Sequence, residues 1–179
     1  MLFRSTEAFG GTIAVESEPG KGTVFTIHLK APYMSGEDYH MHYTASKLQT
    51  DLAGKKILLV EDHKLNMEIA KKILEKKQMK VTCAYNGAEA VALFEKMPEY
   101  TYDAVIMDIR MPVMNGLEAA AAIRAGAKAD AKTIPIIAMS ANAFAEDMEK
   151  SRRAGMNRHV AKPVEPERLF GVLSEIFSD

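Results

Sequence analysis

From residue 56 onward the chain alternates between two kinds of segment, and this constrains its fold more than any other feature. Short apolar runs rich in β-branched residues recur: Ile57-Leu58-Leu59-Val60, a stretch around Cys83, Ala104-Val105-Ile106-Met107, Ile134-Pro135-Ile136-Ile137-Ala138-Met139, and His159-Val160-Ala161. Between successive runs lie longer amphipathic stretches. The runs lack polar alternation, as strands covered on both faces do. Strand and helix in strict alternation predict a parallel sheet flanked by helices. In such a sheet the carboxyl ends of the strands open onto one crevice, where ligands bind.

The residues that close these runs are polar. Glu61-Asp62 follows the first run, Asp108 the third, Ser140 the fourth and Lys162 the fifth. Three carboxylates, a hydroxyl and an ammonium should therefore meet in one crevice. Packed carboxylates repel unless a cation lies among them, and an all-oxygen set favours a magnesium-like ion. Lysine and serine beside them suit an incoming phosphoryl group, so the chemistry suggested is phosphorylation of an aspartate. An aspartate at a strand end is ordinarily a turn former or helix cap. Asp62 and Asp108 depart from that reading because they are expected side by side.

Residues 55 to 179 resemble a response-regulator receiver domain of the kind attached to hybrid sensor histidine kinases. The resemblance is carried by Val60-Glu61-Asp62, by Met107-Asp108-Ile109-Arg110-Met111-Pro112-Val113-Met114-Asn115-Gly116, by Met139-Ser140-Ala141 and by Lys162-Pro163, all in order; Asn66 also falls where such receivers often carry asparagine. It implies a flavodoxin-like (βα)5 doubly wound sheet with strand order 2-1-3-4-5. It also implies that Asp108 accepts a phosphoryl group from phosphohistidine, with Mg²⁺ held by Asp62, Asp108 and the backbone carbonyl of Arg110, and by Glu61 through water. Lys162, Ser140 and the Ala141 backbone N–H would bind phosphoryl oxygens. Ser140 and His159 would form the switch, the His159 ring swinging from exposed to buried, and Arg110 and Asn142 would line the mouth. The family also implies a cis Lys162–Pro163 bond. The implied partners are a histidine kinase phosphodonor domain and a histidine phosphotransfer protein, with a homodimer as a further possibility.

Residues 1 to 30 differ in style. Thr12-Ile13-Ala14-Val15-Glu16-Ser17 and Thr23-Val24-Phe25-Thr26-Ile27-His28-Leu29 alternate apolar with polar residues around Pro19-Gly20-Lys21-Gly22, which predicts a β-hairpin. This stretch resembles the last hairpin of a histidine-kinase ATP-binding domain, and the nucleotide-binding elements of such domains are absent from it. Gly20-Lys21-Gly22-Thr23 departs from a phosphate-binding loop, which needs Ser or Thr directly after Gly-Lys. Residues 31 to 54 read as a linker with a short helix near Ala45 to Leu52, and His40-Met41-His42 within it lacks further metal ligands.

In the receiver-like part, Leu65, Ile69, Ile73 and Leu74 form the expected apolar stripe of the first helix. Ala88, Val91, Ala92 and Phe94 do so for the second; Leu117, Ala120, Ala121 and Ile123 for the third. Gly126 to Thr133 reads as a long polar loop. Phe144 to Ala154 should form the fourth helix, and the fifth should start at Pro166 with the stripe Leu169, Val172, Leu173, Ile176.

A net charge of −1 over 179 residues gives no basic footprint for nucleic acid and no polybasic membrane patch. The single cysteine, Cys83, excludes an internal disulfide and reads as a buried thiol in a reducing, cytoplasmic setting. A parent protein could still be anchored in a membrane. Two other functions compete. A haloacid-dehalogenase-type phosphatase needs a second aspartate two residues after its nucleophile, where Arg110 stands here. A receiver fold that only docks partners would not need all five polar residues. The expected part is a phosphoacceptor and switch rather than a turnover enzyme.

Overall fold

A computed structural model of the chain describes residues 12–18, 20, 22–28, 51–141 and 145–178. Two units are present, and each is described by itself. In the first, β1 (Thr12–Glu18) pairs antiparallel with β2 (Gly22–His28), the predicted hairpin. Val15 faces Phe25 across the ladder, and the hydroxyls of the opposed pair Ser17 and Thr23 lie 2.9 Å apart. Val15, Val24 and Phe25 are exposed. The sequence expectations at Ala45–Thr50, the His40–His42 segment, Asn142 and Phe144 lie outside the described residues.

The second unit is a five-stranded sheet of β3 (Lys56–Val60), β4 (Lys80–Ala84), β5 (Ala104–Asp108), β6 (Ile136–Ser140) and β7 (Arg158–Ala161). All neighbours run parallel, in the order β4-β3-β5-β6-β7, which is the expected 2-1-3-4-5. The helices are α1 (Lys64–Glu75), α2 (Gly87–Lys96), α3 (Gly116–Ala125), α4 (Ala145–Arg153) and α5 (Pro166–Ser178).

Because strand side chains alternate between faces, the apolar runs feed two cores. Leu58, Val60, Val105, Met107, Ile136 and Ala138 pack with Ala90, Phe94, Ala119 and Ile123 of α2 and α3. Ile57, Leu59, Ile106, Ile137, Met139 and Val160 pack with Met67, Leu74, Leu169 and Leu173 of α1 and α5. Leu52, which the sequence places in the linker, is buried in this second core. Cys83 is half-buried on the edge strand β4, and that burial pushes its thiol above the ordinary range despite the nearby Lys71 ammonium.

Three sequence expectations need correction. The first concerns the face that α1 buries. Met67, Ala70, Ile73 and Leu74 line the core, whereas Leu65 and Ile69 are 62% and 47% exposed. The second is smaller: α2 buries Ala90 and leaves Ala92 exposed, and α3 buries Ala119 and leaves Ala121 exposed. The third is the loop after α3, which carries a 3-10 turn at Ala129–Lys132 with Ala131 fully buried. Its polar residues hold the segment after α2: Lys128 Nζ donates to the carbonyls of Phe94 (2.6 Å) and Met97 (2.7 Å), and Asp130 Oδ2 accepts the Tyr100 N–H (2.7 Å).

Helix starts follow the side chains that cap them. Asn115 accepts the Glu118 N–H while Glu118 accepts the Asn115 N–H, a capping box for α3, and Asn86 caps α2 through the Glu89 N–H. Arg124 does more than end α3. Its guanidinium donates to the carbonyls of Gly155 (3.0 Å), Ala131 (2.8 Å) and Ile134 (2.7 Å) and to the side-chain oxygen of Asn157 (2.9 Å). Asn157 Oδ1 also accepts the Ile136 N–H, so one fork ties α3 to the turn that follows α4 and to the start of β6. Gly155 has φ +90 and a Cβ there would lie 2.7 Å from Arg124 Cγ, so no other residue fits that corner. Burial pulls the Arg124 guanidinium below its ordinary value without any carboxylate to offset it. Arg124→Ala should therefore destabilise the receiver unit by about 3 kcal/mol, since several carbonyls lose a charged donor at once. Arg124→Lys should recover little, because one ammonium cannot reproduce the fork. Urea unfolding measures both, and an unchanged midpoint for the alanine variant would show that the fork is dispensable.

Candidate functional site

The parallel sheet brings the polar run-ends together as expected. Asp108 closes the central strand β5, directly beside β3 and β6, and is 7% exposed. Glu61 follows β3, its N–H donating to Ala84 O, and is 1% exposed. Lys162 follows β7, its N–H donating to Ser140 O at 2.8 Å, and the bond to Pro163 is cis. Its Nζ reaches across the sheet ends, donating to Asp108 Oδ2 at 2.6 Å and to Glu61 Oε2. Burial pulls the Lys162 ammonium down, but its hydrogen bonds to Asp108 and Glu61, with their charge, outweigh this and hold it above its ordinary value. It is a cation at neutral pH.

Glu61 is fixed from the other side as well. Asn66 Nδ2 donates to its Oε1 at 3.0 Å, and the His63 N–H approaches the same oxygen at 3.4 Å. The resemblance marks Asn66 without assigning it a contact. Asp108 Oδ1 accepts the Arg110 N–H at 3.1 Å, and the rest of Arg110 is exposed. Asp62 is exposed at the rim, and Ala141 is exposed just beyond β6.

The loop after β5 is held tightly. Gly116 N–H donates to Ile109 O at 2.9 Å, and a Cβ on Gly116 would fall 2.1 Å from the Asp108 carbonyl oxygen. Only glycine permits that approach. Met114 N–H donates to Pro112 O across a γ-turn centred on Val113, whose φ of 70 is rare for a β-branched residue and whose side chain is 86% exposed.

Carboxylate oxygens of Glu61, Asp62 and Asp108 lie within 4.8 Å of one another. Against one ammonium the set carries an excess of two negative charges. The donors are all oxygen, one is open to solvent, and the spacing lets a single small cation reach each directly or through water. The residues fit a hard divalent ion.

Ser140 is buried and faces β7. Its hydroxyl oxygen stands 2.6 Å from His159 Nε2. The His159 ring, expected to start exposed, is half-buried here. A cavity of ≈ 150 Å³ opens beside the carboxylates between α1 and the Lys162-Pro163 turn, lined by Ile69, Ala70, Met139, Pro163 and Val164 as well as Glu61 and Asn66. Ile69, which lines it, is exposed on α1, as is Leu65 four residues earlier. Among the described residues no helix is long and apolar enough to cross a membrane.

Residues 57–174 match the family description of the response regulator receiver domain. The autoinducer 2 sensor kinase/phosphatase LuxQ of Vibrio vulnificus is 34% identical over 169 residues, covering 93% of this chain and 19% of that protein. The receiver domain of the sensor histidine kinase PA1611 from Pseudomonas aeruginosa, solved with a magnesium ion coordinated in its active-site cleft, is 37% identical. It superposes with a TM-score of 0.64 over 71% of this chain and all of that one. The receiver domain of Saccharomyces cerevisiae Ssk1, solved with the histidine phosphotransfer protein Ypd1, is 27% identical with a TM-score of 0.63, covering 70% of this chain and 90% of that one. The chain spans only 7% to 22% of the length of the curated relatives it matches.

Proposed function

The chain belongs to the response-regulator receiver family, and from that premise we propose that it serves a hybrid histidine kinase, accepting a phosphoryl group from phosphohistidine on Asp108. The observation that carries this reading is Lys162, whose ammonium bridges the buried carboxylates of Glu61 and Asp108 at the strand ends. A carboxylate oxygen of Asp108 bonds to phosphorus as the bond to the imidazole nitrogen breaks. Little covalent help is needed, so the protein contributes position and charge. Lys162 neutralises one phosphoryl oxygen, and the Ser140 hydroxyl and the Ala141 N–H donate to the others. Asp62, Asp108 and the Arg110 carbonyl would hold Mg²⁺, with Glu61 acting through water; when bound, the ion offsets the carboxylates and the incoming phosphoryl charge. Intact-mass spectrometry with Mg²⁺ and acetyl phosphate tests the reading: the chain should gain one acid-stable, base-labile phosphoryl group. No gain would overturn it.

Residues 1 to 30 are proposed as the end of a kinase ATP-binding domain, residues 31 to 54 as a linker and residues 55 to 179 as the receiver, in a cytoplasmic part of the parent protein. The exposed Val15, Val24 and Phe25 support the first assignment, since a lone two-stranded hairpin is marginal in water.

The partner that delivers or removes the phosphoryl group should dock on α1. Leu65 and Ile69 lie one helical turn apart and exposed, and Ile69 lines the cavity beside Glu61, which suits the apolar face of a histidine-bearing helix. The Ssk1 receiver, similar to this chain, forms a complex with a histidine phosphotransfer protein. Leu65→Glu should slow transfer from a phosphorylated histidine phosphotransfer protein by about tenfold, the effect of losing one modest anchor. Labelling by acetyl phosphate should stay unchanged. Equal slowing of both reactions would place Leu65 in the chemistry rather than in docking.

A further inference from the structure

A second cavity lies at the amino ends of the strands, away from the crevice that holds Asp108. Asp103 directly precedes β5 and Pro135 directly precedes β6. The cavity is ≈ 240 Å³, and its walls include Tyr100, Tyr102, Asp103, Asp130, Ile134 and Pro135. Asp130, in the 3-10 turn, is 3% exposed. Its Oδ2 accepts the Tyr100 N–H at 2.7 Å, whereas its Oδ1 is buried with no hydrogen-bond partner among the described residues. The lysines on either side of Asp130 are engaged elsewhere. Lys128 Nζ donates to the carbonyls of Phe94 and Met97, and Lys132 Nζ donates to that of Arg124. Asp103 is better served, with Lys55 Nζ at 3.4 Å and the Lys56 N–H at 2.7 Å. A buried carboxylate oxygen is costly until a donor reaches it. The torsion that turns a carboxyl group is soft, so a donor in the cavity can draw Oδ1 toward itself.

We propose that this cavity binds a guanidinium group, carried by an arginine of a protein segment or by a free guanidino compound. Two carboxylates in the walls exclude an anion. A metal ion is a poorer match, because among the described residues the carboxylates close enough to hold one are Glu61, Asp62 and Asp108, at the other end of the sheet. Water alone would serve Oδ1, yet the space is several times the ≈ 30 Å³ that one water takes, and much of its wall is aromatic or apolar. Those walls suit a planar cation. Tyr100 is 70% exposed, and its φ of 58, uncommon for a bulky residue, is held by the bond to Asp130. A guanidinium can lie against a tyrosine ring while its fork donates to Asp130 and Asp103 and its alkyl stem covers Ile134 and Pro135. An ammonium offers neither the plane nor the fork. The site is independent of the phosphoacceptor reading, since it shares no residue with that crevice.

Amide ¹H–¹⁵N spectra of the full chain, titrated with propylguanidinium and with its neutral isostere propylurea, test this. The Tyr100 and Thr133 amides should shift saturably with propylguanidinium, at the millimolar affinity one such group supports, and stay in place with propylurea. Asp130→Asn keeps the shape and an acceptor for the Tyr100 N–H, and should weaken binding by about tenfold or more, the loss of one charge-assisted hydrogen bond. Tyr100→Asn removes the exposed ring but keeps a residue tolerant of positive φ, and should weaken binding about threefold. It tests the site even where the buried variant fails to fold. Both variants should be labelled by acetyl phosphate as fast as wild type. A capped Gly-Arg-Gly peptide that binds more tightly than propylguanidinium assigns the ligand to a protein segment, and one that binds less tightly assigns it to a free guanidino compound. Shifts that are absent, equal with propylurea, or unchanged by both substitutions overturn the proposal.

Discussion

Asp108→Asn is expected to lose phosphoryl labelling completely, with no new mass adduct after incubation with Mg²⁺ and acetyl phosphate. Three carboxylates share the crevice, so the assignment to one of them needs a physical reason. Glu61 is 1% exposed, and its oxygens are taken by Lys162, Asn66 and the His63 N–H. A nucleophile so enclosed has no free approach. Asp62 is open to solvent, but Lys162 reaches Glu61 and Asp108 instead of it. Asp108 alone combines a position on the central strand with contact to the cation that would receive a phosphoryl oxygen. An amide at position 108 keeps the shape and can still accept the Arg110 N–H, yet it cannot form an acyl phosphate. The variant should also lose part of the stabilisation that Mg²⁺ gives, because one carboxylate ligand is gone; at a hundredfold excess of ion over its dissociation constant that stabilisation is about 2.7 kcal/mol. Melting with and without Mg²⁺ measures it. Labelling of the variant equal to wild type would transfer the acceptor role to another carboxylate.

The parallel sheet and the positions of these carboxylates were legible in sequence for one reason. Polar residues end strands that are otherwise apolar on both faces, and a parallel sheet turns those ends toward one crevice. The face of α1 was not legible. Leu65, Ile69 and Ile73 form one apolar row and Met67, Ala70 and Leu74 another, so helical periodicity allows either phase. Burial went to Met67, Ala70, Ile73 and Leu74, and Leu65 and Ile69 stayed outside. Arg124 and Lys128 were illegible for a different reason. Their acceptors are mostly backbone carbonyls of distant residues, and a carbonyl leaves no trace in the sequence. The Asn66–Glu61 contact was closer to hand, since a helix starting directly after the acidic pair brings its first turn back over Glu61. The Ser140–His159 pair needed the register of two neighbouring strands, which short apolar runs do not specify.

Lys162→Met should lower the labelling rate by about 10²–10³-fold, the effect of removing one preorganised donor to a developing anion. Methionine keeps most of the stem and removes the charge. In the folded protein the loss leaves Glu61 and Asp108, both buried, without the ammonium between them. Breaking a buried pair from one side costs about 3–5 kcal/mol, and the open rim at Asp62 should hold the loss near the lower figure. Mg²⁺ should restore part of it, since a cation can again stand among the carboxylates. The pH dependence follows from the raised Lys162 value. A lysine held above its ordinary 10.5 stabilises the fold fully below the unfolded value, and that contribution disappears as pH rises through the folded value. The stability gap between wild type and Lys162→Met should thus stay flat from neutrality to about pH 10 and close only beyond it. Urea midpoints across that range, with and without Mg²⁺, report the gap, and acetyl phosphate kinetics report the rate. A gap that closes near neutral pH, or a variant labelled as fast as wild type, would mean that Lys162 is not the cation joining these carboxylates to the phosphoryl group.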